Sequence, residues 1–300
     1  MKDLIKAPLK DLIAEADRTR SKYIGRKLEL CSIINAKSGL CSEDCKFCAQ
    51  SAHHSTDISC HPLKSRADIL AVAREAERIG AARFGIVTSG NRPDKKEIKR
   101  IAHAIKDITN SMKLAVCASL GALSKDELLL LKAAGLSRYH HNIETSPGYY
   151  SRIVTTHGFK ERLDTVKAAK DAGLEVCSGG IIGMGESWED RIEMAEILKD
   201  LDVDSVPINI LVPIKGTRLE NLEPLCVDDI IRTICIFRIK LRDKTIKIAA
   251  GRETALKDFQ ALGFTAGANG MLIGGYLTVR GRGVEEDKEL VKEVERLWAG

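Results

Sequence analysis

Short apolar, β-branched runs recur along the chain, spaced widely enough to leave room for a helix between successive runs. They are LELCSII (28–34), ARFGIVT (82–88), LAVCASL (114–120), RYHHNIE (138–144), LEVCSGGII (174–182), SVPINILV (205–212), TIKIAA (245–250) and GMLIGG (270–275). Between them, segments 66–80, 126–135, 159–173, 187–201 and 227–241 are rich in charge and carry apolar residues at helical spacing. Several of these end in glycine, the common helix stop. Strand-like runs alternating with helix-length crossovers predict a parallel sheet. Eight repeats without a topological break favour an α/β fold of the (β/α)8 TIM-barrel type over an open doubly wound sheet. No Ser/Gly-rich or Pro-rich linker divides the sequence, so 1–300 reads as one domain. Residues 1–25 form a helical extension outside the barrel, and 278–300 a C-terminal helix. The fourth run is polar for a buried strand, and polar residues at barrel strand ends are where sites are built.

Composition narrows the function classes. With 47 Lys+Arg against 42 Asp+Glu, the net charge of +5 is small and spread along the chain. It gives no footprint for nucleic acid or a membrane surface. No apolar run reaches the ~18–20 residues needed to cross a bilayer, and the first twenty residues lack the apolar core of a signal peptide. A cytoplasmic protein is expected. Nine cysteines are then many, and metal binding or catalysis explains them better than a disulfide framework.

Three of the nine, Cys41, Cys45 and Cys48, form a C-x3-C-x2-C group in AKSGLCSEDCKFCAQ, the loop directly after the first strand. That places them on the face of a barrel where active sites form. A structural zinc ion takes four protein ligands, whereas a 4Fe–4S cluster held by three cysteines leaves one iron open to another ligand. The alternative is three unrelated loop thiols.

The spacing, with Phe47 before the last cysteine, resembles the cluster motif of the radical S-adenosylmethionine (SAM) superfamily. Further stretches extend the likeness to the biotin synthase family over residues 28–290: HHNIETSPGYYSRIVTTHGFKERLDT, VCSGGIIGMGESWEDR, SVPINILVPIKGTRLE, AAGRE and GANGMLIGGYLT. The resemblance implies a barrel enzyme that converts dethiobiotin to biotin through a 5′-deoxyadenosyl radical. Its cofactors would be a 4Fe–4S cluster on Cys41, Cys45 and Cys48, SAM, and an auxiliary Fe–S cluster that donates sulfur. Its partners would be dethiobiotin, an electron donor of flavodoxin or ferredoxin type, and a second copy in a homodimer. By the same likeness, Arg162 pairs with the SAM carboxylate, and Glu144 stands where the family more often has an Asp facing the ribose. Gly179, Gly180 and Ile182 lie in the segment that approaches adenine, and Asn142 and Asn209 face the substrate. Read without the likeness, Arg162 is a solvated charge at a helix start and the two asparagines are strand-end caps.

The sequence departs from the family at the auxiliary cluster, which can be a 2Fe–2S centre or a larger, sulfide-bearing one. Two of its cysteine positions are matched by Cys117 and Cys177, but the third falls on Gly85, and an arginine position falls on Lys247. Barrel geometry offers a replacement. Cys31, Cys117, Cys177 and Lys247 lie on the first, third, fifth and seventh strand runs, and alternate strands contribute to one interior layer. Cys31 is then either the missing ligand or a small buried hydrophobe. One step toward the active face, Ile33, Ser119, Gly179 and Ala249 point inward, and three of these are small enough to leave room for a cofactor. Cys60, Cys226, Cys235, His53 and His54 show no ligand pattern. Rival readings are a related radical SAM mutase or cofactor maturase, and a non-catalytic Fe–S or zinc protein.

Overall fold

The computed structural model describes residues 2–277 and 281–299. Its strands are β1 (Glu29–Lys37), β2 (Arg83–Thr88), β3 (Ala115–Ser119), β4 (Arg138–His140), β5 (Glu175–Cys177), β6 (Gly180–Ile182), β7 (Ser205–Ile210), β8 (Thr245–Ile248) and β9 (Gly270–Leu272). They run β5-β4-β3-β2-β1-β9-β8-β7-β6, and β5 pairs back onto β7 to close the ring. Every pairing in the ring is parallel. β5 and β6 are the two halves of the single run 174–182, interrupted at Ser178 and Gly179, so the staves number eight and the fold is a (β/α)8 barrel.

The fourth run is shorter than its sequence suggests. Only Arg138–His140 is strand, and the chain continues as an extended loop tied to Gly180 through a bridge at Glu144. The expected helices fold as Arg66–Arg78, Lys125–Ala133, Phe159–Asp171, Trp188–Asp200 and Val227–Leu241, and the structure adds Lys95–Ser111 and Pro147–Ile153. Capping boxes start four of them, pairing Ser65 with Asp68, Asp94 with Glu97, Ser124 with Glu127 and Ser187 with Asp190. The N-terminal helix Leu9–Tyr23 lies outside the sheet and packs on Val227–Leu241. There Arg232 donates to the carbonyls of Ile5 and Ala7.

Strand alternation divides each stave into two faces. Phe84, Ile86, Val116, Tyr139, Val176, Val206, Ile246 and Met271 point outward and are fully or almost fully buried beneath the helices. The inward face is different, carrying charge and sulfur.

Register fixes how the inward residues stack. Cys31 pairs with Arg83 and Gly85 with Cys117; Cys117 pairs with Arg138 and His140 with Cys177. Cys177 pairs with Ser205, Pro207 with Lys247, Lys247 with Gly270, and Leu272 with Cys31 again. The circuit advances two residues on each of β2, β4, β7 and β9 before it closes, which is the stagger of ~8 typical of this barrel. Equal steps set Cys31, Cys117, Cys177 and Lys247 at one height inside it.

Candidate active site

A cavity of about 430 Å³ opens inside the barrel, and Cys31, Cys117, Cys177 and Lys247 line it together with Gly85. Lys247 is the most constrained of these. Its Nζ donates to Cys31 Sγ at 3.0 Å and pairs with Glu29 Oε1 at 2.8 Å. Beneath the layer, Glu29 also receives Arg138 Nη1 and Arg83 Nε, each at 2.7 Å. Both arginines reach on to Glu175 as well. Three cations thus share two carboxylates under the thiols, leaving a cationic excess in a low-dielectric interior.

That field acts unevenly on the cysteines. Burial pushes Cys117 up to about 11, and burial likewise raises Cys31 despite the neighbouring ammonium. For Cys177 burial is opposed by the charge of Lys247, by His140 and by Arg138, and the thiol falls to about 6. Lys247 itself is raised, because the nearby thiols and Glu29 outweigh its desolvation. Soft sulfur donors at one height, a cavity, and surplus positive charge in and beneath that layer fit an anionic iron–sulfur cluster.

Gly85 leaves little room for a larger side chain, since an added Cβ would lie 3.1 Å from Ile33 Cγ2. Ile33, Ser119 and Ala249 line the cavity. Gly179 is not an open position: its Cβ would lie 2.0 Å from the carbonyl oxygen of Pro207. A Cβ on Gly180 would meet the Glu144 carbonyl at 2.2 Å. Close passage of protein backbone therefore requires both glycines, independently of any ligand. The Ile182 side chain packs in the outer core, and Ile181 faces the cavity in its place.

At the rim, Asn142 Oδ1 accepts from Gly179 N at 3.2 Å, and Asn209 bridges Gly180 O and Ala250 N at 3.1 and 3.2 Å. Both amides cap strand ends and both line the cavity. Each keeps a donor hydrogen and a lone pair beyond these bonds. Glu144 has φ of +68°, a left-handed conformation that costs a non-glycine residue energy. Its Oε1 lies 3.6 Å from Arg162 Nη1. Arg162 is not a solvated charge: it donates to Tyr150 Oη at 2.9 Å and to the Asn142 carbonyl at 3.2 Å. Phe47, Glu253 and Tyr276 also line the cavity, and the Tyr276 hydroxyl donates to Glu253 at 2.7 Å.

The cysteine loop folds back on itself. Cys41 N donates to Gln50 O, Ala52 N to Cys41 O and Cys48 N to Cys45 O. His53 and His54 hold the backbone at Ser42 and Cys48. Burial raises Cys45, opposed chiefly by Arg162, and pushes Cys48 up to about 11. Cys41, Cys48 and Glu144 also bear on Cys45, so the three thiols share one neighbourhood with Arg162 and Glu144. Among the described residues no three His, Cys, Asp or Glu side chains converge on a single-ion site. A cubane takes each thiolate on a separate iron, so its ligands need no such convergence. Cys60 and Cys226 are exposed, and Cys235 is buried in the helical layer.

Sequence reasoning passed over the ionic floor of Glu29, Arg83, Arg138 and Glu175, and the loop partners Asp44 and His157. Charges at alternate strand positions were the trace the floor left in the sequence, but the same pattern marks a strand that faces water.

Residues 37–211 match the Radical SAM superfamily, and residues 207–296 match the Biotin and Thiamin Synthesis associated domain. A biotin synthase of Thermotoga petrophila is 54% identical over 298 residues, covering 99% of this chain and 98% of that protein. One from Thermotoga neapolitana is 58% identical over 272 residues, covering 90% and 97%. Among solved structures, methylornithine synthase superposes with a TM-score of 0.83 at 20% identity, covering 97% of this chain and 88% of that one. The FeFe-hydrogenase maturase of Carboxydothermus hydrogenoformans gives 0.82 at 17% identity, covering 95% and 70%. At these identities the two structures speak for the fold alone.

Proposed function

Because this chain belongs to the biotin synthase family of radical SAM enzymes, we propose a division of labour between two sites on one barrel. The enzyme inserts sulfur into dethiobiotin to form biotin, using a 4Fe–4S cluster, SAM and an auxiliary Fe–S cluster. When bound, the first cluster with SAM supplies a 5′-deoxyadenosyl radical that removes hydrogen from the substrate, and the auxiliary cluster supplies sulfur.

Cys41, Cys45 and Cys48 hold the 4Fe–4S cluster on the loop after β1. Arg162 orients the SAM carboxylate and Glu144 the ribose, with Gly179, Gly180 and the backbone of Ile182 beside the adenine. Asn142 and Asn209 offer their remaining amide valences to the ureido ring of dethiobiotin. Cys31, Cys117 and Cys177 hold the auxiliary cluster, and Lys247 neutralises it from the same layer without ligating. The observation that carries this reading is the shared height of those four residues on the wall of the cavity beneath the two asparagines.

Residues 1–300 act as one barrel domain. The two family matches overlap at β7, which pairs with β5 and β6 on one side and with β8 on the other, so the overlap falls within the barrel wall. No described helix is long and apolar enough to cross a membrane. Cytoplasmic location, a homodimer and a reductant of flavodoxin or ferredoxin type follow the family. Light scattering checks the dimer, and turnover with each purified reductant checks the donor.

The deciding experiment is anaerobic reconstitution, with iron and sulfide counting, followed by incubation with reductant, SAM and dethiobiotin. Biotin formation with loss of auxiliary-cluster sulfide is expected. Formation of 5′-deoxyadenosine without biotin would instead assign the chain to another radical SAM reaction.

A further inference from the structure

His157 stands between the cysteine loop and Arg162. Its Nδ1 lies 2.6 Å from Glu43 Oε2, and its Nε2 lies 3.0 Å from Arg162 Nη2. A guanidinium can only donate hydrogen bonds. Nε2 must therefore accept from Arg162, which leaves the ring hydrogen on Nδ1, donated to the Glu43 carboxylate. The two contacts fix both the tautomer and the plane of the imidazole.

The surroundings hold the ring in place. Its side chain is 3% exposed, and it meets Tyr150 edge-on with centroids 6.0 Å apart. Tyr150 in turn accepts from Arg162 Nε at 2.9 Å. The strap carrying His157 is pinned to the loop a second time. Asp44 accepts from the backbone of Thr155 and Thr156 at 2.8 and 3.2 Å, and from the Thr155 hydroxyl. Glu43 and Asp44 sit between Cys41 and Cys45. A change in the loop thus has a direct hydrogen-bonded route to the guanidinium.

We propose that His157 is a positioning residue for SAM: through Glu43 it sets the plane of the Arg162 guanidinium according to the position of the cysteine loop. The inference rests on the reading of Arg162 as the carboxylate partner of SAM. A bidentate contact demands coplanarity of guanidinium and carboxylate, and His157 holds one of the two terminal nitrogens. Without it, Nη2 loses its acceptor, and the guanidinium is held only by Nε on Tyr150 and Nη1 on the Asn142 carbonyl, which leaves the Nη2 end of the fork unpinned.

The test is SAM binding to anaerobically reconstituted protein. Equilibrium dialysis gives the affinity, and the electron paramagnetic spectrum of the reduced cluster, with and without SAM, reports the bound geometry. His157→Phe is expected to retain the loop cluster's iron, weaken SAM roughly tenfold, the scale of one hydrogen bond to a charged group, and blunt the SAM-induced spectral change. His157→Gln, whose amide oxygen still accepts from Arg162, is expected to recover most of that loss. Thr155→Val loosens the same strap without touching His157 and is expected to bind SAM like the parent. The inference is overturned if His157→Phe binds SAM within twofold of the parent, or if Thr155→Val weakens it equally. Should His157→Phe fail to load its cluster, His157→Ala with added imidazole decides: restored SAM affinity supports the role, and no restoration overturns it. Arg162→Gln separates the two levels of the argument. Parent-like SAM binding by that variant removes the reading of Arg162 itself, whereas weakened binding there with an unaffected His157→Phe removes only the role of His157.

Discussion

Lys247 Nζ lies 3.0 Å from Cys31 Sγ and 2.8 Å from Glu29 Oε1, so one buried ammonium joins a thiol of the cavity wall to the carboxylate beneath it. Glu29 is the anion on which that ammonium and two arginines depend. Removing one member of a buried ionic group costs about 3–5 kcal/mol, because its partners stay desolvated and unpaired. Glu29→Gln is expected to lower the unfolding free energy of the cluster-free protein by that amount in urea titrations. A loss below about 1 kcal/mol would mean that Glu175 alone suffices to balance the three cations.

Cys31→Ser addresses the same contact from the other side. The variant is expected to keep the loop cluster and SAM cleavage to 5′-deoxyadenosine, and to lose auxiliary-cluster iron and sulfide together with biotin formation. Unchanged iron and sulfide content and unchanged turnover would leave Cys31 as a buried apolar residue only.

Backbone crowding sets a third expectation. An added Cβ at Gly179 would lie 2.0 Å from the Pro207 carbonyl oxygen, and one at Gly121 would lie 1.9 Å from that of Asn91. Backbone cannot yield as a flexible side chain does. Alanine at either position is expected to destabilise the protein by more than about 4 kcal/mol, the range reserved for built-in clashes and similar defects. Soluble Gly179→Ala protein with a parent-like melting temperature would refute this account of the β5–β6 break.

Asp190 supplies a pH test away from the clusters. Burial raises its carboxyl, but hydrogen bonds from Ser146 and from Ser187, backbone and side chain, outweigh burial and hold it below the ordinary aspartate range. A carboxyl depressed on folding contributes stability that is complete above its unfolded value and is lost as pH falls through the lower folded value. Asp190→Asn also weakens the capping box of Trp188–Asp200. It is expected to cost about 1 kcal/mol near neutral pH, with the gap to the parent narrowing below about pH 4. A gap independent of pH would show that the charge plays no part.

The barrel and its cysteine layer were legible because both follow from periodicity. Outward positions such as Phe84, Val116 and Val206 are apolar at every second residue, which fixes the parity that turns Cys31, Cys117, Cys177 and Lys247 inward. The same alternation concealed the ionic floor. A strand with polar residues at alternate positions reads as one facing water, and nothing local shows that Glu29 and Arg138 turn toward each other across the interior. The break in the fifth stave was hidden for another reason. Ser178 and Gly179 suit an extended chain, and only the close passage of Pro207 forces the interruption. The contacts of Glu43 and Asp44 with the strap at Thr155–His157 bridge more than a hundred residues of sequence, and no spacing rule reaches that far.

The two cysteine sites also differ in when they can exist. Cys41, Cys45 and Cys48 fall within one loop, so those three thiols are neighbours in sequence before any long-range contact forms. The other set is dispersed along the chain, and the Cys31–Lys247 contact alone spans 216 residues. Contacts so remote in sequence form only after long loops have closed, and here they require the last staves to have joined the first. Under the proposed ligand assignment, the interior layer would become a binding site only upon ring closure, whereas the loop thiols need no such closure to lie together. On that assignment, an inner cluster would mark a finished barrel.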